Sequence, residues 1–312
     1  MKIKRILAAL AVALAAGSGD KKIPVGGQAV IEGVLMKGPS LWGLSIRRPD
    51  GVIESESWGV KSWTASLPWK LPLIRGVVTM VEMMTTGFRA LDKSAKIAVG
   101  EEEKITFLEM ALTVAAAIGA VVGLFIALPL WLSDLAYNAR GLTATGKNII
   151  EGCVRGLVFI AYVAGIGLWG EIRQVFRYHG AEHKTINAYE GGVPMTVENI
   201  MNCSRIHPRC GTSFLLIVVA VSIIVFSAAG SGTILWRIGS RVLLLPLVMG
   251  ISYEIIKGAS CAGAAGRFLM WPALSFQFLT TREPDYNQVE VALTSLETAL
   301  QKRLRPEGET AE

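Results

Sequence analysis

Four long apolar runs, at roughly 107–132, 154–170, 213–236 and 242–256, restrict this chain more than any other feature. A helix of about 20 apolar residues crosses the hydrocarbon of a bilayer. It also satisfies its own backbone hydrogen bonds there, which an irregular segment does not. An apolar content of 52% in 312 residues would suit a large soluble domain if it were spread evenly. Concentrated in runs, it predicts membrane spans. Trp131 closes the first run, where an indole suits the interface. Glu151 and Arg155 stand at the entrance of the second, and Pro246 interrupts the short fourth. The run 268–279 is too short to span and reads as re-entrant or interfacial.

Basic residues orient these spans. Lys and Arg number 12 in residues 18–106, 5 in 171–212 and 6 in 257–312, but only 2 in each of 133–150 and 236–241. Four spans place the first three segments together, 23 basic residues against 4, and the positive-inside rule assigns that side to the cytoplasm. The net charge of +6 is modest and sits in these loops, which argues for membrane topology and against a nucleic-acid partner. The bilayer is the partner the sequence implies, with a membrane-protein partner as a further one. Cys153, Cys203, Cys210 and Cys261 form no Cys-x-x-Cys pair and no disulfide framework, so a reduced compartment is the simpler reading.

The remaining segments take their places around the spans. Residues 1–20 are a short apolar extension whose basic start resembles a signal sequence, an interfacial helix or an upstream start. Residues 21–70 predict a β-rich cytoplasmic domain. Residues 28–36 read as one strand, and Pro49-Asp50-Gly51 turns the chain between strands at 41–48 and 52–58. Within 71–106, apolar positions three or four apart from Leu73 to Ile97 predict an amphipathic helix. The transmembrane hairpins are then 107–170 and 213–257, joined by a His/Cys loop at 171–212 and followed by the segment 258–283. Residues 284–312 predict a C-terminal amphipathic helix and a polar tail. The fold class is a mainly α, polytopic helical membrane protein of about four spans with a small β-containing N-terminal domain. The β domain, the His loop and the C-terminal helix should converge.

Chemistry concentrates in the 171–212 loop. Of three histidines in the chain, His179 and His183 lie four apart with Glu182 between them, and His207 follows with Cys210. On a helix, i, i+3 and i, i+4 share a face. Two imidazoles so placed can hold one metal ion, and the order His-x-x-Glu-His is that of the inverted zinc-protease motif. A divalent metal, zinc first, suits His179, His183, His207 and Cys210 as ligands, with Glu182 as general base. The bland alternative is a set of loop histidines hydrogen-bonded to carboxylates such as Glu190. Gly180 weakens the helix through the motif. Glu254, on the fourth span, is either a third ligand or an interfacial carboxylate paired with Lys257 or Arg241. Glu32 either faces solvent from its strand or points toward the histidines.

Several segments together resemble the YqhQ-like family, bacterial multi-pass membrane proteins with a domain of unknown function. They are Gly26 through Met36, Arg47-x-Pro49-Asp50-Gly51, Tyr178 through Lys184, His207 through Thr212, Ser252-Tyr253-Glu254, and Leu279 through Pro284 with Gln288 through Ala292. The resemblance implies a bacterial plasma-membrane protein and a predicted metal-dependent enzyme, on the same histidines. Two expectations follow from the whole sequence. One is a metal-dependent membrane hydrolase with its site on the cytoplasmic face, C-terminus also inside. The other is a non-enzymatic scaffold or biogenesis factor with a structural His/Cys cluster. A transporter is disfavoured by only four spans and no repeated broken helices.

Overall fold

The computed structural model describes residues 25–66, 68–99, 107–140, 144–230, 232–302 and 304. The readings of residues 1–20 and of the polar tail from 305 lie outside them. Strands β1 (Gly26–Val30), β2 (Gly33–Lys37), β3 (Leu41–Arg47) and β4 (Ile53–Gly59) form an antiparallel meander in chain order. The single strand read at 28–36 is therefore two. A tight turn at Ile31 and Glu32 divides them, with Glu32 at φ 50°. Periodicity missed that turn because β2 is buried on both faces, so apolar residues run on without alternating. The β3–β4 turn falls where Pro49-Asp50-Gly51 predicts it, with Gly51 at φ 88°.

Each face of this sheet carries a helix. Leu35, Trp42, Leu44 and Ile46 pack on one side against Ala90 and Leu91 of the helix Ile74–Val99. Val34 and Met36 pack on the other side in one core with Val289, Leu293 and Leu296 of the helix Tyr286–Leu300. Full burial of such side chains contributes about 1.5–3 kcal/mol each. The C-terminal helix starts from a capping box between Asp285 and Gln288. It lies unusually close to the sheet: Ser295 Oγ donates to the carbonyls of Val34 and Gly43, each at 2.9 Å. A Cβ at Gly43 would sit 2.5 Å from the Ala299 nitrogen and the Ser295 oxygen. The amphipathic helix read within 284–312 thus buries its apolar residues against two neighbours, while Glu290, Thr294, Glu297 and Thr298 stay partly exposed. The sheet covers one side and the helix Gly170–Gly191 another, so Val291, Ala292 and Ala299 are buried as well. The three segments expected to converge do meet.

Four helices are long and apolar enough to cross a membrane, at Ala111–Asn138, Gly146–Ile166, Gly211–Ala228 and Ile238–Ala259, and consecutive ones pack together. Their limits differ from the apolar runs. The second lies in a helix that begins at Ala144, so Glu151 and Arg155 stand inside it and not at its entrance. The third stops at Ala228, two residues before Gly230 takes φ 75°. The fourth belongs to one helix, Ile234–Cys261, that passes through Pro246 unbroken. Such helices tolerate proline where neighbouring groups re-satisfy the freed carbonyl. The segment after it forms short helices, Gly263–Leu269, Trp271–Ser275 and Gln277–Thr280, with Met270 and Ala273 buried against the third and fourth span helices.

Ion pairs fix the joints. Arg75 Nε and Nη2 donate to the two oxygens of Glu254 at 2.7 and 2.5 Å, tying the helix under the sheet to the fourth span helix. Glu254 is therefore paired with Arg75, with Lys257 as a further positive neighbour, and not with Arg241. Arg241 instead meets buried Glu151, at 2.8 and 3.2 Å, while Arg155 meets the same carboxylate at 2.8 Å. Both guanidiniums also lie over the ring of Phe226. Removing one member of a buried ionic set leaves uncompensated charge and costs about 3–5 kcal/mol. Glu151→Ala should lower the thermal midpoint of the detergent-purified protein accordingly. An unchanged midpoint would show that the two arginines find other partners at no cost.

Candidate functional site

His179 and His183 lie on a helix, while His207 follows in irregular backbone. Residues Gly170–Gly191 form one 22-residue helix, closed by Gly192 at φ 73°. Gly180, which weakens a helix by about 1 kcal/mol relative to alanine, has a local reason. A Cβ there would stand 2.0 Å from the carbonyl oxygen of Arg282. Glycine lets the segment 280–282 lie flat on the helix, where the Arg282 N–H donates to the Phe176 carbonyl at 2.8 Å.

That segment orients the first histidine. His179 Nδ1 is 2.8 Å from the Thr280 carbonyl, and His183 Nδ1 is 2.6 Å from the Arg205 carbonyl. A carbonyl only accepts, so each Nδ1 carries the proton, and in the neutral ring each Nε2 is left with a lone pair. The rings, one helical turn apart, have centroids 4.4 Å from each other. Cys210 caps the third span helix, its sulfur accepting the Thr212 N–H at 3.4 Å. The same sulfur lies 3.3 Å from His179 Nε2. One ligand atom each from His179, His183 and Cys210 falls within 4.8 Å of the other two. Tetrahedral zinc with N and S donors separates them by roughly 3.3–3.8 Å, so the donor set fits such an ion with small side-chain movements. Carbonyls holding the far nitrogens are the usual support of metal-binding imidazoles.

The electrostatics are those of a thiolate–imidazolium pair. Burial alone would depress His179, but the charge and hydrogen bond of Cys210, with Glu182 and the Thr280 carbonyl, raise it to about 9. Burial pushes the Cys210 thiol up, and His179 and His183 together bring it well below the usual thiol range. Glu182 is buried beside Gly27 of β1, and none of the described hydrogen bonds ends on its carboxyl. Burial holds its pKa above the usual carboxylate range, against the pull of His183 and His179.

The other residues singled out by sequence lie around this centre. His207 is not in the ligand group: its Nε2 faces Glu190 at 3.5 Å, and its ring centroid is 5.7 Å from that of His183. Gln277 explains the placement. It accepts the His207 N–H at 2.9 Å, donates to the His207 carbonyl at 2.7 Å, and so clamps that backbone on both sides. Glu190 also pairs with Arg209. Burial would raise Glu190, but His207 and Arg209 hold it below the usual range. Glu32 reaches the same helix through Tyr178, whose hydroxyl donates to it at 3.1 Å. Burial, first, and then Glu32 keep that phenol protonated.

Sequence reading missed the supports: the carbonyls of Thr280 and Arg205, the side chain of Gln277, and Lys184. Lys184 is buried, donates to the Met201 carbonyl at 2.7 Å and meets Glu283 at 3.0 Å. Gln277 had a signal, as an amide in the otherwise apolar run 268–279. The backbone carbonyls had none.

Comparison with known proteins agrees with this architecture in extent. Residues 71–302 match the family described as "Protein of unknown function (DUF1385)". The chain is also 35% identical over 301 residues to the "Uncharacterized protein YqhQ" of Bacillus subtilis (strain 168), covering 89% of this chain and 93% of that protein. No solved structure matches. Matched in both ways over most of its length, the chain belongs to the DUF1385, YqhQ-like family.

Proposed function

We propose that this protein is a metal-dependent hydrolase of the bacterial plasma membrane. His179 Nε2, His183 Nε2 and Cys210 Sγ would hold a divalent cation, zinc first, on the cytoplasmic side. The observation that carries the reading is the three-donor group with both far nitrogens tied to backbone carbonyls. Three protein ligands are the number of a catalytic zinc site, while closed structural sites use four. A cation bound there supplies Lewis acidity toward a carbonyl or phosphoryl oxygen.

Glu182 supports the catalytic version over the structural one. None of the described side chains of the cluster donates to the Glu182 carboxyl, so a purely structural knot has no evident use for it. Burial raises its pKa above the usual carboxylate range, which makes it a better proton acceptor than an ordinary carboxylate. Beside Gly27, with His179 and His183 as its electrostatic neighbours, it would hold that proton next to the donor group. One observation favours the alternative, a scaffold with a structural cluster: the centre lies where the His helix, the segment 280–282 and the cap of the third span helix join, and it is buried. Metal analysis of Glu182→Gln separates the two readings. A hydrolase keeps full metal content in that variant, gains or holds thermal stability, and loses turnover. A scaffold in which Glu182 is structural would lose stability or metal.

The topology reading has two supports. One is the bias in basic residues. The other is parity: the sheet precedes the first candidate span, the His helix follows the second and the C-terminal helix follows the fourth, yet the three pack together. Only an even number of crossings between them allows that. We expect a cysteine placed at exposed Glu198, with Cys153 and Cys203 replaced, to be labelled from the cytoplasmic side. One placed at exposed Asn138 should be labelled from outside. The reverse pattern would overturn the orientation.

A further inference from the structure

A second site lies at the other end of the His helix. The turn between the second span helix and that helix, with Gly167 and Leu168, forms a pocket of about 280 Å³ with Arg173 and Arg282. This is near the small end of ligand sites and suits a headgroup better than a whole amphiphile. No described carboxylate pairs with either arginine, although nearby cations are paired: Lys184 and Arg205 share Glu283, and Arg209 holds Glu190. Two arginines lining one pocket bring two positive charges to it, which an anion bound there would offset. A guanidinium fork matches phosphate oxygens two at a time.

The apolar side chains at and beside the pocket give the anion's class: Leu168 lines it, and Trp169 follows next in the chain. Leu168 and Trp169 are among the most exposed large side chains of the protein, and they sit at the end of a helix apolar enough to cross a membrane. Apolar and indole side chains at that level are suited to acyl chains and the headgroup region. Basic pockets between membrane helices on the cytoplasmic side commonly receive anionic lipid headgroups. We propose that Arg173 and Arg282 bind the phosphodiester of an anionic phospholipid, with Leu168 and Trp169 lying along its glycerol and upper acyl chains. This inference rests on the membrane reading above but not on the metal. It has a consequence for the neighbouring centre: Arg282 is two residues from Thr280, whose carbonyl orients His179. A lipid held here would anchor the segment that supports the first histidine.

The test uses the full-length protein in detergent, with bound lipid counted by native mass spectrometry. Phosphatidylglycerol should be retained more strongly than phosphatidylcholine. The double substitution Arg173→Gln, Arg282→Gln should reduce retention of phosphatidylglycerol by about tenfold, as loss of charge-assisted bonds requires. Arg173→Lys with Arg282→Lys should fall between. Arg173 is exposed, so Arg173→Gln alone carries the test if the double variant does not fold. Inorganic phosphate forms the second arm. If it fails to displace the lipid, the headgroup is the occupant. Displacement by inorganic phosphate that depends on both arginines would keep the phosphate chemistry and reassign the source to a soluble anion. Equal retention of phosphatidylglycerol by wild type and the glutamine variants, or equal retention of the two lipids, would overturn the proposal.

Discussion

Gly180→Val is expected to destabilise the protein by about 3 kcal/mol or more, and Gly180→Ala by about 1–3 kcal/mol. In an ordinary helix interior the alanine change would stabilise by about 1 kcal/mol. The sign reverses here because the added carbon would meet the Arg282 carbonyl oxygen at 2.0 Å. That oxygen is backbone, so no side-chain rotation relieves the clash. The segment 280–282 must lift, and with it go the Thr280 carbonyl bonded to His179 and the Arg282 N–H bonded to Phe176. Gly165→Ala is the matched control, since a Cβ at Gly165 meets nothing within 4 Å. Thermal melting in detergent should separate the two alanine variants clearly. Equal midpoints would mean that the segment is not seated on the helix as described.

His183→Ala carries the other large effect. It removes one of three donors and leaves the Arg205 carbonyl without its ring partner. Zinc affinity should fall by at least about a hundredfold, beyond the 10–100-fold typical of losing only a supporting contact. His207 does not substitute, because Gln277 fixes its backbone and its ring faces Glu190. His207→Ala should accordingly leave metal content unchanged. The affinity should also depend on pH in a set direction. In the metal-free protein His179 holds a proton up to about pH 9 while Cys210 is already a thiolate. Where Cys210 is a thiolate, metal entry then releases about one proton from His179, so affinity rises with pH, at most about tenfold per unit, toward about 9 and levels off above it. Titration with a zinc-chelating dye across that range checks the slope; a flat profile would contradict the assignment of His179 as a ligand.

Much of the architecture was legible in the sequence because its causes are local. Apolar length gives the four candidate span helices, and Pro49-Asp50-Gly51 gives its hairpin. His179 and His183 share a face because helical spacing alone requires it. Failures came where distant segments decide. Gly180 reads as a helix breaker until the Arg282 carbonyl is placed against it. His207 reads as a fourth ligand; its ring comes within 5.7 Å of that of His183 but faces Glu190, and a glutamine 70 residues away holds its backbone. Glu254 reads as a third ligand or a partner of Lys257 or Arg241, and sequence spacing does not show Arg75, 179 residues earlier, as its partner. The C-terminal helix is amphipathic as read, but which two neighbours cover its apolar residues is set by distant segments.

X-ray absorption at the zinc edge of the purified protein tests the central claim most directly. The account predicts about one zinc per chain, with nitrogen scatterers at about 2.0–2.1 Å and a single sulfur at about 2.3 Å, the sulfur shell disappearing in Cys210→Ser. Protein purified without chelators that carries no zinc or other divalent metal, or zinc without a sulfur neighbour, would contradict it.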